Sequence, residues 1–156
     1  MIHLSLKKIY ILDFTSLGLF GLFFASFLAA TILPFSSEFV LAFFLSKGID
    51  PWLCFFLALI GNVLGGSTNF WIGKMGNPIW LKRWGLSEAT IDKRKKWIEK
   101  RGAFVGFFSW VPIIGDPLLV ALGFFNSNPI KTHIWMVLGK GIRYLIIVLT
   151  YLNLFS

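Results

Sequence analysis

The chain has 156 residues, 56% of them hydrophobic, 18% aromatic and only 14% charged, and its mean hydropathy is +0.76. Soluble domains carry roughly 25% charged residues, so an ordinary soluble globule is excluded. With 15 Lys and Arg against 7 Asp and Glu the net charge is +8, and the placement of that charge points to a membrane rather than to nucleic acid.

In chain order, residues 1–15 read as an N-terminal interfacial segment. Lys7 and Lys8 ahead of an apolar stretch also resemble a signal peptide with cleavage after Ala30, a reading set aside because the residues just beyond belong to an internal repeat. Ser16 to Leu33 is 18 residues without a charge, long enough to span a bilayer. Phe39 to Ser46, just beyond Pro34, is too short to cross, and short arms about a proline predict a re-entrant hairpin over 16–47. Trp52 to Gly73 is 22 residues without a charge, about 33 Å as a helix, and predicts a transmembrane helix over 52–74. Cys54 lies within that run as the one cysteine, which excludes a disulfide framework and a cysteine-rich metal site.

Lys74 to Arg101 holds nine of the fifteen basic residues, so the loop 75–101 is expected to be cytoplasmic. Ser87 suits an N-cap and Glu88 a helix start, predicting a short interfacial helix with Trp84, Ile91, Trp97 and Ile98 toward lipid. A solvated charged helix that only sets topology is the competing reading. Ala103 to Gly115 and Leu118 to Phe125, close to Pro112, predict a second re-entrant hairpin over 102–126. A second transmembrane helix is predicted over 131–155. It contains Lys140 and Arg143, each costing about 2.5–3.5 kcal/mol near a helix centre, so both need partners. The tips of the hairpins should lie against the other half of the protein, because unwound backbone is tolerated at membrane depth only where protein or a water-filled cavity surrounds it.

Laid over itself with Ala25 on Ala103, the chain also aligns Pro34 with Pro112, Glu38 with Asp116, Leu41 with Leu119, Pro51 with Pro129 and Gly61 with Gly139. Each hairpin returns to its starting side and one span separates them, so the second enters from the opposite face. The expected fold is an all-α polytopic membrane protein, a single membrane domain built as an inverted repeat of re-entrant helical hairpin plus transmembrane helix. Lys7, Lys8 and Lys47 then face outside against ten basic residues inside, counting Lys131, as the positive-inside rule requires. Inverted repeats with broken helices are a recurring plan of secondary transporters, with sites at the broken segments.

Glu38 and Asp116 are the carboxylates within the apolar segments. Ionisable groups at membrane depth are read by default as proton relays, ion paths or substrate counter-charges. The competing reading is structural: Glu38 and Asp116 pair with Arg143 and Lys140. Lys140 and Arg143 lie three apart on one helix face, where a guanidinium fork and a point charge suit an anionic head group. Pro34, Ser37, Asn62, Asn69, Ser109, Trp110 and Pro112 are candidates to line a path, as is Thr68, although interhelical contacts explain such groups as well. The glycine-rich runs Gly61 to Gly66 and Gly73 to Gly76 lack the strand and the Gly-Lys-Ser/Thr of a phosphate loop. With only His3 and His133 there is no H-E-x-x-H and no Ser/His/Asp constellation, so no enzyme, metal or cofactor is expected.

Leu33-Pro-Phe-Ser-Ser-Glu-Phe-Val-Leu41, the Gly65 to Gly76 run and Trp110-Val-Pro-Ile-Ile-Gly-Asp-Pro-Leu118 resemble the DedA family, also called SNARE-associated or VTT-domain proteins, most closely its short YqaA-type members. The resemblance covers residues 20 to 150. It implies two opposed re-entrant hairpins and transbilayer movement of lipids, including the undecaprenyl-phosphate carrier, dependent on proton-motive force. Glu38 corresponds to the family's acid after the first tip proline, and Phe70-Trp-Ile-Gly-Lys-Met-Gly76 to its Tyr-x-Ile-Gly-Arg-x-x-Gly. The family's second acid falls on Gly65-Gly66, and its second-hairpin arginines fall on Ser109 and Gly115, so these charges are missing here.

The expected function is therefore a lipid transporter or flippase in a bacterial inner membrane, with Glu38 and Asp116 as proton-linked carboxylates and Lys140 and Arg143 as phosphate contacts. Its partners would be membrane lipids and a second copy in a homodimer, with no nucleic acid. The alternative is a non-transporting scaffold whose basic loop binds anionic lipid or a partner protein.

Overall fold

The computed structural model describes residues 18–31, 37–76, 97–98 and 101–155. Within them every regular element is helical, with α1 Gly18–Thr31, α2 Ser37–Ser46, α3 Pro51–Met75, a 3-10 helix Gly102–Trp110, α4 Gly115–Phe124 and α5 Pro129–Phe155. Two helices among the described residues are long and apolar enough to cross a membrane, Pro51–Met75 and Pro129–Leu154. The N-terminal segment, the first tip with Pro34 and nearly all of the basic loop expected to form an interfacial helix lie outside the described residues.

Local sequence accounts for the helix limits, and does so twice at the same spacing. Asp50 caps α3, its side chain accepting the Leu53 N–H at 2.7 Å ahead of Pro51. Asn128, at the matching position of the second half, accepts the Lys131 N–H at 3.0 Å ahead of Pro129. Proline suits the first position of a helix because its missing N–H has no intrahelical partner there. Beyond α2, Gly48 takes the left-handed region with φ of 73°, and beyond α4 the residue in register with it, Asn126, does so with φ of 55°. The Ser127 N–H donates to the Leu122 carbonyl and the Asn126 N–H to that of Gly123, the two bonds of a Schellman cap. Asp50→Ala and Asn128→Ala are each expected to cost about 1 kcal/mol, measured as a shift in the unfolding transition of the protein in mixed micelles.

The long helices run antiparallel. Cys54 and Ala58 near the start of α3 share one buried cluster with Tyr144 and Val148 of α5, and Phe70 near the end of α3 shares another with Met136. Against this pair lie two helical arms in each half of the chain. The leading arm of each half lies on the long helix that follows it: Gly61 of α3 abuts the Phe23 carbonyl of α1, and Gly139 of α5 abuts the Phe107 carbonyl of the 3-10 helix. The return arm lies on the long helix of the other half. Leu41 and Leu45 of α2 enter the cluster with Tyr144 and Val148, whereas Leu119 and Leu122 of α4 enter the cluster with Phe70 and Met136. Both return arms begin near the middle of the molecule and leave it for opposite ends of α3.

Ser16 to Leu33 has the length of a span, yet its helix is seen to Thr31 and the chain comes back beside it, with Phe44 of α2 against Gly18 of α1. The second leading arm is a 3-10 helix, which sequence did not single out. At about 2.0 Å per residue its nine residues reach about 18 Å, so a short segment extends as far as a longer α-helix. Large side chains such as Phe20, Phe24, Phe39, Phe56, Ile60 and Ile146 point outward, the surface expected where the solvent is hydrocarbon rather than water.

Candidate functional site

The first turns of the two return arms carry Glu38 and Asp116, where the partial positive charge of a helix N-terminus favours a carboxylate. Both face α5. Arg143 donates from Nε to Glu38 Oε1 at 2.5 Å and from Nη1 to the Trp110 carbonyl at 2.8 Å. Lys140 Nζ donates to Asp116 Oδ1 at 3.0 Å, to Asn62 Oδ1 at 2.5 Å and to the Asn62 carbonyl at 3.3 Å. An ammonium has three protons and no acceptor, so these three bonds satisfy it fully.

The two pairs differ in access. Lys140 is 2% exposed and Asp116 32%, against 14% for Arg143 and 37% for Glu38. Desolvating an ion costs several kcal/mol, repaid only by good geometry and complete hydrogen bonding. That condition is met most fully at Lys140. Arg143 is less enclosed than Lys140, while the two carboxylates are similarly accessible.

Asn62 connects the two arrangements. Its Nδ2 donates to the Ser26 carbonyl of α1 and to Ser37 Oγ of α2, both at 3.3 Å, while its Oδ1 faces Lys140. The amide orientation follows from chemistry, since turning it over would set an NH2 group against an ammonium. Ser37 Oγ also accepts from the Tyr144 hydroxyl at 2.5 Å. The result is a continuous string of Tyr144, Ser37, Asn62, Lys140 and Asp116, buried up to its half-buried end at Asp116, and it joins the first return arm to the second.

The other predicted residues are placed as follows. Asn69 donates to the Ala30 carbonyl at 2.6 Å, clamping the end of α1 to α3 away from the ion pairs. Thr68 turns back onto its own helix at the Leu64 carbonyl. Ser109 is buried, and its hydroxyl finds no partner among the described residues; the same holds for Ser26. Trp110 contributes its carbonyl to Arg143 and leaves its ring exposed. Pro112 begins a tight turn in which the Ile114 N–H reaches the Pro112 carbonyl at 2.7 Å and Ile113 has φ of 67°. A β-branched residue in that region is strained, and such strain gathers at sites the surrounding structure must hold in place. Tyr144 was missed by sequence reasoning, although its place four residues after Lys140 sets both on one face. Among the described residues no three His, Cys, Asp or Glu side chains gather as a metal site would require.

Helices as the only regular elements among the described residues, two of them long and apolar enough to cross a membrane, together with acid–base pairs at the starts of two short arms, are the features of a helical membrane protein. The chain belongs to the VTT-domain family, whose domain matches residues 33–152. It is 37% identical over 130 residues to the inner membrane protein YqaA of Escherichia coli, covering 83% of this chain and 87% of that protein. It is 27% identical over 131 residues to an uncharacterized protein of Haemophilus influenzae, covering 79% and 80%. The membrane protein YkoX of Bacillus subtilis is 34% identical over 122 residues, 74% of this chain and 54% of its own length. No solved structure matches the chain.

Proposed function

We propose that this protein is a proton-coupled transporter in a bacterial inner membrane that moves a phosphate-bearing lipid, such as a polyprenyl phosphate, between leaflets. In this reading α3 and α5 span the bilayer, and α1 with α2 and the 3-10 helix with α4 are re-entrant hairpins of an inverted repeat, with the basic loop cytoplasmic. The relative named as an inner membrane protein supports the location, and the recurrence of caps and helix limits at one constant spacing supports the repeat. A homodimer would help enclose the path.

The observation that carries the proposal is the partly exposed Glu38–Arg143 pair held against the Trp110 carbonyl. A guanidinium fork matches a phosphate as well as a carboxylate. A proton taken up by Glu38 removes the competing charge and frees Arg143 for the lipid phosphate; loss of that proton restores the pair and expels the phosphate. Asp116 and Lys140 perform the matching exchange beside the second tip.

The test is movement of a polyprenyl phosphate in proteoliposomes with and without an imposed pH gradient. Wild type is expected to move the lipid in response to the gradient, and folded Glu38→Gln and Arg143→Ala to fall to the rate of protein-free vesicles. A wild type that does not move the lipid removes this substrate. Unchanged behaviour of Glu38→Gln, with anionic-lipid binding lost on neutralising Lys93 to Lys96, would favour the scaffold.

A further inference from the structure

We propose that Asn62 is a positioning residue that transmits the state of the pair between Asp116 of the second return arm and Lys140 of α5 to the start of the first return arm at Ser37. The inference rests on the transporter reading for its purpose, though not for its test.

Asn62 and Lys140 are separated by 78 residues, the spacing at which Asp50 matches Asn128, Gly48 matches Asn126, and α2 matches α4. They are equivalent positions of the two halves, and they touch. Each follows a glycine that abuts a carbonyl of its own leading arm, Gly61 on Phe23 and Gly139 on Phe107. Residues at equivalent positions touch only near the axis that relates the two halves, so this contact joins the halves at their centre. The pair is chemically unequal, an amide against an ammonium, which gives the contact a direction.

The bonding supplies the transmission. Lys140 Nζ is held by Asp116 Oδ1 on one side and Asn62 on the other. When the carboxylate loses its charge, its remaining oxygen acceptor holds the ammonium less strongly, and Nζ leans more on its two acceptors on Asn62. An amide drawn toward Lys140 at its oxygen pulls its Nδ2 from Ser37, where the bond is already long at 3.3 Å. Ser37 opens α2 and stands next to Glu38. There is little slack in the surroundings: Asn62 is 6% exposed and Ser37 3%, and a methyl group on Gly66 would come within 3.1 Å of Lys140 Nζ. A second connection crosses between the halves, from Glu38 through Arg143 to the Trp110 carbonyl. It bypasses Asn62, and the experiment separates the two.

The experiment is amide hydrogen exchange of α2 in the full-length protein in nanodiscs, in a double-mutant design. Asp116→Asn serves as the uncharged state of the second arm. In the otherwise wild-type protein it is expected to speed exchange at the start of α2 by about tenfold, the equivalent of one net hydrogen bond. In Asn62→Leu, which fills similar volume without donor or acceptor, Asp116→Asn should leave exchange in α2 unchanged. A merely structural Asn62 would lower protection generally while leaving the response to Asp116→Asn in place, and that outcome overturns the proposal in favour of the Arg143 connection. No response of α2 to Asp116→Asn in the wild-type background overturns it as well. Should Asn62→Leu fail to fold, Ser37→Ala retains the Asn62–Lys140 contact but removes the bonds of both Asn62 and Tyr144 to Ser37, so the response must vanish there, whereas Tyr144→Phe, which removes the Tyr144 bond alone, must keep it. Because exchange is read without any transported lipid, failure of wild type to move polyprenyl phosphate would defeat the proposed substrate and leave this result standing.

Discussion

Asp116→Ala is expected to destabilise the folded protein by about 3–5 kcal/mol, whereas the double variant Asp116→Leu with Lys140→Met should cost far less. Lys140 is 2% exposed, and its ammonium cannot turn to solvent when its carboxylate is removed. It would be left with the neutral acceptors of Asn62 in a site built for an anion. Removing both charges and filling the space with apolar side chains abolishes the desolvation cost together with the attraction. Reversible unfolding in mixed micelles, followed for both variants, checks the ordering. Equal losses would mean that the volume of the side chains, not the unpaired ion, governs stability at this point. Glu38→Gln should be milder than Asp116→Ala, because the glutamine keeps an acceptor oxygen for Arg143 and Arg143 retains the Trp110 carbonyl. That difference is what makes Glu38→Gln suitable for transport measurements.

Much of this arrangement was legible in the sequence, for physical reasons that differ from residue to residue. Charges in an apolar run must be paired, so Lys140 and Arg143 announced partners, and the acids repeated in register in the two halves were the available ones. Asp50-Pro51 and Asn128-Pro129 fix helix starts by local chemistry alone, without tertiary help. Asn62 could be named as a polar group in a span, but its role depends on which helices surround it. Its three partner residues, Ser26, Ser37 and Lys140, come from three different helices, and no local pattern brings those together. Tyr144 was hidden for the same reason, since a tyrosine in an apolar helix reads as core until Ser37 is placed opposite its hydroxyl. The 3-10 form of Gly102–Trp110 was also out of reach. Its apolar residues fit either helix type, and only the backbone distance to be covered distinguishes them.

Glycines let the helices pack closely, and their surroundings differ enough to rank them. A Cβ on Gly73 would run into the Val120 carbonyl of α4, and one on Gly123 into the Phe70 carbonyl of α3. These are backbone atoms that no rotamer change can move. The contacts are reciprocal, with each glycine receiving a carbonyl from the partner helix, so α3 and α4 touch backbone to backbone as small residues permit in membrane helices. Gly73→Ala and Gly123→Ala should therefore each force the helices apart and cost about 1–3 kcal/mol or more, although alanine is the better helix former by about 1 kcal/mol. Gly141 provides the contrast. A Cβ there meets only Leu59 Cδ2 at 3.9 Å, so Gly141→Ala should be neutral or stabilising, with the helix-propensity gain unopposed. The three variants share one chemical change, and their unfolding midpoints should separate by space alone. If Gly123→Ala were as stable as Gly141→Ala, the close approach of α4 to α3 would be wrong, and with it the path by which Asp116 reaches Lys140. A loss at Gly123 together with intact Lys140–Asp116 coupling would mean that the start of α4 is held by its ion pair even when its far end is displaced.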